Sequence, residues 1–256
     1  MPSFPVSIAT LSLLQAALVA LPRARPAGWA QSLRSPWWAV IPAASIIVVI
    51  AIVAATPGSA TVLSYLALIA CPPLAAVALG WLIAGSRPVW GLAAIPLFAL
   101  AWISKGALAG EVAAAAVSSL ACVTLGWLLA SAVPGPRLRW GIYAMATIDA
   151  ILVTAELLQG PNGVLVAAHP GALPRLQVIA FGSARIGFGD VFVAATTGCL
   201  LAVERRRQRT AARLTAVLAL AFDLLFFVLD TLPATVPVAV ALALTQKLAP
   251  RRSAAD

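Results

Sequence analysis

The sequence predicts an all-α protein, a polytopic membrane bundle of about nine transmembrane helices. Three observations predict it. Hydrophobic residues make up 62% of the 256 and charged residues only 10%, against about 25% charged in a soluble domain. The apolar residues fall into runs of 17–26 residues, and about 20 suffice to cross the hydrocarbon core of a bilayer. The joints between runs are short and carry Pro and Gly, the residues that end helices.

The runs are, in order, Phe4–Leu21, Trp37–Ala55, Thr61–Ala84, Pro88–Ser104, Leu108–Val133, Leu138–Leu158, Val178–Val203, Ala211–Leu229 and Leu232–Leu248. Their joints include Pro57-Gly58, Gly85-Ser86-Arg87-Pro88, Pro134-Gly135-Pro136 and Pro161-Asn162-Gly163. No basic residue precedes the first run, and Arg23 and Arg25 follow it. That order fits an uncleaved first helix better than a signal peptide, which needs a positive start. The longest polar connection, Gly160–Arg175, joins the sixth and seventh runs. Residues 1–256 therefore read as one membrane domain, with five helices in 1–133 and four in 138–248. Any activity has to be built from the helices. No internal repeat is evident, which weighs against an inverted-repeat transporter.

The net charge of +9 does not indicate nucleic-acid binding. The basic residues sit between apolar runs, where they meet lipid headgroups. The loops after runs one, three, five and seven, with the C-terminal tail, hold 14 of them, and the other loops hold 3. The positive-inside bias then places the N-terminus outside and the C-terminus in the cytoplasm. The 15 arginines against 2 lysines, with alanine-rich runs, suggest a prokaryotic plasma membrane protein from a GC-rich genome.

No cofactor or metal is expected. Cys71, Cys122 and Cys199 each lie alone in an apolar run and read as small core residues. His169 is the only histidine, so a zinc site of the HExxH type lacks its ligands.

The acids are more informative. Glu204 and Asp256 fall at polar ends, and Glu111 opens the fifth run. Asp149, Asp190, Asp223 and Asp230 lie within or near the ends of apolar runs. A charged side chain at the bilayer centre costs about 2.5–3.5 kcal/mol on insertion scales, so such residues pair, line water or perform chemistry. Pairing with Arg185 would be the plain structural explanation. Glu156, seven residues after Asp149, falls on the same face if the helix continues. Asp230 is expected near an interface, and Asp223 has no evident partner.

Asp149 and Asp190 lie on consecutive runs joined by one loop, and adjacent helices pack about 8–10 Å apart. Glycines on either side of Phe188 strip side chains from the approach to Asp190, so backbone can come close or the helix can start late. Two inward carboxyls that nearly meet share a proton. One can then take a proton from water while the other donates to a peptide carbonyl.

With these features the chain resembles the presenilin and signal peptide peptidase family of GxGD intramembrane aspartyl proteases. Gly187-Phe188-Gly189-Asp190 fits the GxGD motif, and Asp149 fits the other catalytic aspartate. Leu232-Pro233-Ala234-Thr235-Val236-Pro237 resembles the PAL motif that opens the last helix. The resemblance implies catalytic Asp149 and Asp190, with Gly187, Phe188, Gly189, Pro233, Ala234 and Thr235 supporting the site or binding substrate. It covers residues 138–248. Two departures are visible: Ile148 stands where a tyrosine usually precedes the first aspartate, and the PAL-like segment reads Pro-Ala-Thr. With the orientation above, the resemblance implies a signal-peptide-peptidase-like enzyme. Its substrates would be single membrane-spanning segments with a cytosolic N-terminus, including leftover signal peptides.

A helical substrate must unwind before it is cut, and its freed backbone groups need partners in a dry site. Strand-like pairing with the protease would supply them. Two alternatives stay open at this point. Prepilin peptidases share GxGD, although their motif commonly continues to Lys where Phe192 stands and they have no PAL-like segment. A proton-coupled transporter or inactive scaffold would leave the two carboxyls apart.

Overall fold

The computed structural model describes residues 2–56, 58–157, 159–168, 171 and 173–248. The helices are α1 (Phe4–Ala20), α2 (Ile41–Ala55), α3 (Ser59–Val77), α4 (Ala94–Ile103), α5 (Leu108–Ala132), α6 (Gly135–Thr154), α7 (Gln159–Ala167), α8 (Phe188–Leu201), α9 (Arg205–Asp223) and α10 (Thr235–Leu248). Tighter or looser turns extend several of them. Pro36–Val40 leads into α2, Ala78–Leu82 continues α3, Pro88–Ala93 leads into α4 and Leu224–Phe227 follows α9.

Each of the nine apolar runs overlaps one of these helices, and α7 lies in the connection after the sixth run. Four helical stretches are long and apolar enough to cross a membrane: Pro36–Ala55, Ser59–Leu82, Leu108–Ala132 and Arg205–Phe227. A fifth joins them if the bent pair α6 and α7 counts as one. The stretches Phe4–Ala20, Pro88–Ile103, Phe188–Leu201 and Thr235–Leu248 are apolar but shorter. A helix of 14 residues, such as α8 or α10, spans only about 21 Å at about 1.5 Å per residue.

The seventh run departs most from expectation. Val178–Val203 is not one helix. Its first part is a hairpin of β1 (Val178–Phe181) and β2 (Ala184–Gly187), antiparallel with Ile179 opposite Ile186. β-Branched apolar residues suit a strand as well as a membrane helix, so periodicity alone could not separate the two. Gly182 turns the hairpin in the left-handed region at φ 60°, which glycine adopts freely. Glu111 accepts the Gly182 N–H at 2.8 Å, and Ser7 Oγ accepts from Ser183 N at 3.3 Å. The hairpin is thus tied to α5 and α1, and Glu111 has a defined partner.

The sixth run also ends early. Its helix stops at Thr154 and closes with two bonds, Glu156 N–H to Val153 O and Leu157 N–H to Leu152 O, both 3.0 Å. This is a Schellman closure with Glu156 in the left-handed region at φ 57°. Glu156 therefore leaves the helical face of Asp149 and is exposed.

α5 is the central helix, with 67% of its apolar stretch buried against 17–28% in the other three long ones. Small residues let its neighbours approach closely. At the end of α8, a Cβ on Gly198 would lie 2.5 Å from Leu18 O and 2.7 Å from Val19 O, so α8 and α1 touch backbone to backbone. Gln208, fully buried on α9, donates to Val19 O, Pro22 O and Gly198 O at 2.9–3.2 Å. One amide thereby binds α1, α8 and α9. Cys71, Cys122 and Cys199 are buried in the core, as expected of small apolar residues.

The two ends of the bundle differ. At one end, Arg205 reaches Pro22 O and Arg23 O, Arg23 N–H meets Leu82 O, and Ser35 N–H meets Ala132 O. The arginine-bearing joints after runs one, three, five and seven are therefore gathered together. The hairpin, Glu111 and the start of α1 occupy the opposite end.

Candidate active site

Asp149 lies in the last third of α6 and is buried, with 5% of its surface exposed. Asp190 is the third residue of α8, and its Oδ2 accepts the Gly187 N–H at 3.1 Å. The carboxylate thus caps the start of its own helix, where free N–H groups and the helix dipole favour negative charge. The glycines serve this geometry. Gly187 ends the strand in extended backbone at φ −69°, ψ 149°. A Cβ on Gly189 would press on Met145 of α6 at 3.2 Å, which lets the two acid-bearing helices come close.

Asp149 and Asp190 line the same cavity, and their carboxyls are near enough to act on each other electrostatically. The cavity holds about 1070 Å³ and is walled mostly by apolar side chains of α1, α2, α3, α5, α6, α8 and α9. It reaches Trp29 and Trp38 by the arginine-rich end and Val178 of the hairpin at the other.

The PAL-like segment joins the site at α10. Thr235, fully buried, donates its hydroxyl to Asp149 Oδ2 at 2.6 Å. Gln15 of α1, also buried, donates to Ala234 O at 3.0 Å. Ala234 and Phe188 both line the cavity. Asp149, Asp190, Gly187, Gly189, Ala234 and Thr235 are thus brought together. Pro233 lies just ahead of the Thr235 helix start, in the loop that delivers it.

Arg185 lines the cavity but pairs with neither acid. The arginine that does pair is Arg207, which meets Glu204 at 2.8 Å. Asp223 has a partner that the sequence did not reveal. Ser12 donates to its Oδ2 at 2.8 Å across the contact of α1 with α9, at the cavity wall. Asp230 is exposed in the loop before α10. His169 lies outside the described residues.

Sequence reasoning missed Gln15 and Ser12. Both are polar residues inside the first apolar run, at positions 12 and 15 of one helical face. That spacing was the available signal. No protein-family model, curated protein or solved structure matches the chain.

Proposed function

We propose that this protein is an intramembrane aspartyl endopeptidase, a hydrolase that cuts peptide bonds within membrane-spanning segments. The observation that carries the proposal is the pair Asp149 and Asp190, from two different helices, on one apolar cavity with their carboxyls in electrostatic reach.

The chemistry follows from the pair. One carboxylate takes a proton from water as the water oxygen bonds to the peptide carbonyl carbon. The other carboxyl gives its proton to the carbonyl oxygen, forming a gem-diol. On collapse a diol proton returns, the C–N bond breaks, and the leaving nitrogen keeps the electron pair and gains a proton. The apolar walls suit a transmembrane segment, and the unpaired edge of the two-stranded hairpin beside GxGD can receive a substrate backbone that has unwound.

The proposal extends to a bundle of nine membrane-embedded helices with the arginine-rich end in the cytoplasm and the N-terminus outside. The gathering of those arginine-bearing joints at one end supports it. Seven of the eight tryptophans (Trp29, Trp37, Trp38, Trp81, Trp90, Trp127 and Trp140) also stand in or beside these joints, and tryptophan favours the headgroup level. Substrates would then be single-span segments with a cytosolic N-terminus, such as leftover signal peptides.

The test is cleavage of a single-span peptide by the purified protein in liposomes. Asp149→Asn and Asp190→Asn should each abolish it. Cleavage that persists above a few per cent of the unsubstituted rate in either variant ends the proposal.

A further inference from the structure

We propose that Thr235 is the positioning residue of this site, its hydroxyl fixing the Asp149 carboxyl for its part in the reaction. The inference rests on the aspartyl-protease reading above.

The two acids are held differently. Asp149 Oδ2 accepts the Thr235 hydroxyl at 2.6 Å, a short distance typical of a hydroxyl on a carboxylate. Asp149 is therefore seated on the first residue of α10 by the Thr235 hydroxyl. Asp190 has one donor, the Gly187 N–H at 3.1 Å. Each carboxyl is thus held at one oxygen by one donor, Asp149 by a side chain from a different helix and Asp190 by the start of its own helix.

Thr235 is itself fixed from two sides. It is fully buried, so its hydroxyl has no water to turn to. The preceding residue is anchored by Gln15, whose amide holds Ala234 O at 3.0 Å.

Shape and hydroxyl can be separated. Thr235→Val keeps the branched shape and loses the donor. Thr235→Ser keeps the donor and loses the methyl. Thr235→Ala loses both. With the purified protein in liposomes and a single-span peptide, Thr235→Val should lower kcat about ten- to hundredfold, the effect of one hydrogen bond to a charged group. KM should change by about twofold or less, since the bond acts on the reacting groups and not on substrate binding. Thr235→Ser should stay within about fivefold of the unsubstituted kcat, and Thr235→Ala should fall with Thr235→Val.

A peptide carrying a tetrahedral hydroxyl in place of the scissile carbonyl should lose affinity for Thr235→Val in step with kcat. Unfolding temperatures restrict the comparison to folded variants, and Thr235→Ser with either of the other two suffices. A kcat for Thr235→Val equal to or above that of Thr235→Ser would assign the residue to packing and overturn the inference. So would unchanged affinity for the tetrahedral peptide. If Asp149→Asn or Asp190→Asn still cleaves, the aspartyl-protease reading itself has failed. If both are inactive while Thr235→Val is not, only the role of Thr235 has failed.

Discussion

Asp149 and Asp190 place carboxyls in mostly apolar surroundings, at an energetic cost. The structure offsets it with helix starts. Asp190 caps α8, and Asp149 rests on the start of α10 through Thr235. Asp223 is a different case. It sits at the last residue of α9, bonded to Ser12 on the cavity wall, and is hydrogen-bonded to neither Asp149 nor Asp190. Asp223→Asn keeps an acceptor for the Ser12 hydroxyl, so kcat/KM for peptide cleavage should fall less than about tenfold. A loss as complete as that of Asp149→Asn would mean that three acids, not two, carry the chemistry.

Two elements carry local tension or local glue that can be measured. The α6 closure puts Glu156, a residue with a Cβ, at φ 57°. Left-handed backbone costs such a residue about 1 kcal/mol relative to glycine. Its side chain is exposed, so little else is lost on replacement. Glu156→Gly should therefore stabilise the protein by up to about 1 kcal/mol, read as a higher unfolding temperature in detergent. Gln208 is the opposite case. Its one amide serves three carbonyls at the meeting of α1, α8 and α9. Gln208→Leu keeps the bulk but leaves those carbonyls without that donor. It should destabilise by about 1–3 kcal/mol in the same measurement. A neutral result would show that the three helices are held by packing alone.

For the whole molecule the decisive asymmetry is between its ends. One gathers arginines and most tryptophans; the other carries the hairpin and the starts of α8 and α10, where the two aspartates are seated. The Arg205 guanidinium locks the basic end by holding Pro22 O and Arg23 O at 2.7 and 2.8 Å. Under the positive-inside bias, reporter fusions joined after Arg252 should be cytoplasmic, and fusions in the 160–175 connection should be exported. A fusion after Arg252 that reports from outside the cell overturns the orientation and the substrate direction that depends on it. The cavity and the mutational predictions do not depend on that orientation.

Much of this was legible from residue order. Apolar runs mark helices because a backbone in lipid must bond within its own segment, and each run overlaps one. The acids announced themselves because charge in such runs is expensive. Gly187-Phe188-Gly189 pointed to a close approach before Asp190, and the Met145 contact at Gly189 shows where that approach occurs. Three features were not legible. The hairpin was hidden because Val178, Ile179 and Ile186 suit strand and membrane helix alike. The departure of Glu156 depended on a helix closure that no glycine signalled. The bonds from Ser12, Gln15 and Thr235 join segments 86–219 residues apart. Sequence alone determined the composition of the helices and the identity of the unusual acids, because solvation acts on each segment separately. Only tertiary structure decided that Asp149 is held by Thr235 and faces the Asp190 cavity, because those partners meet through packing of distant segments.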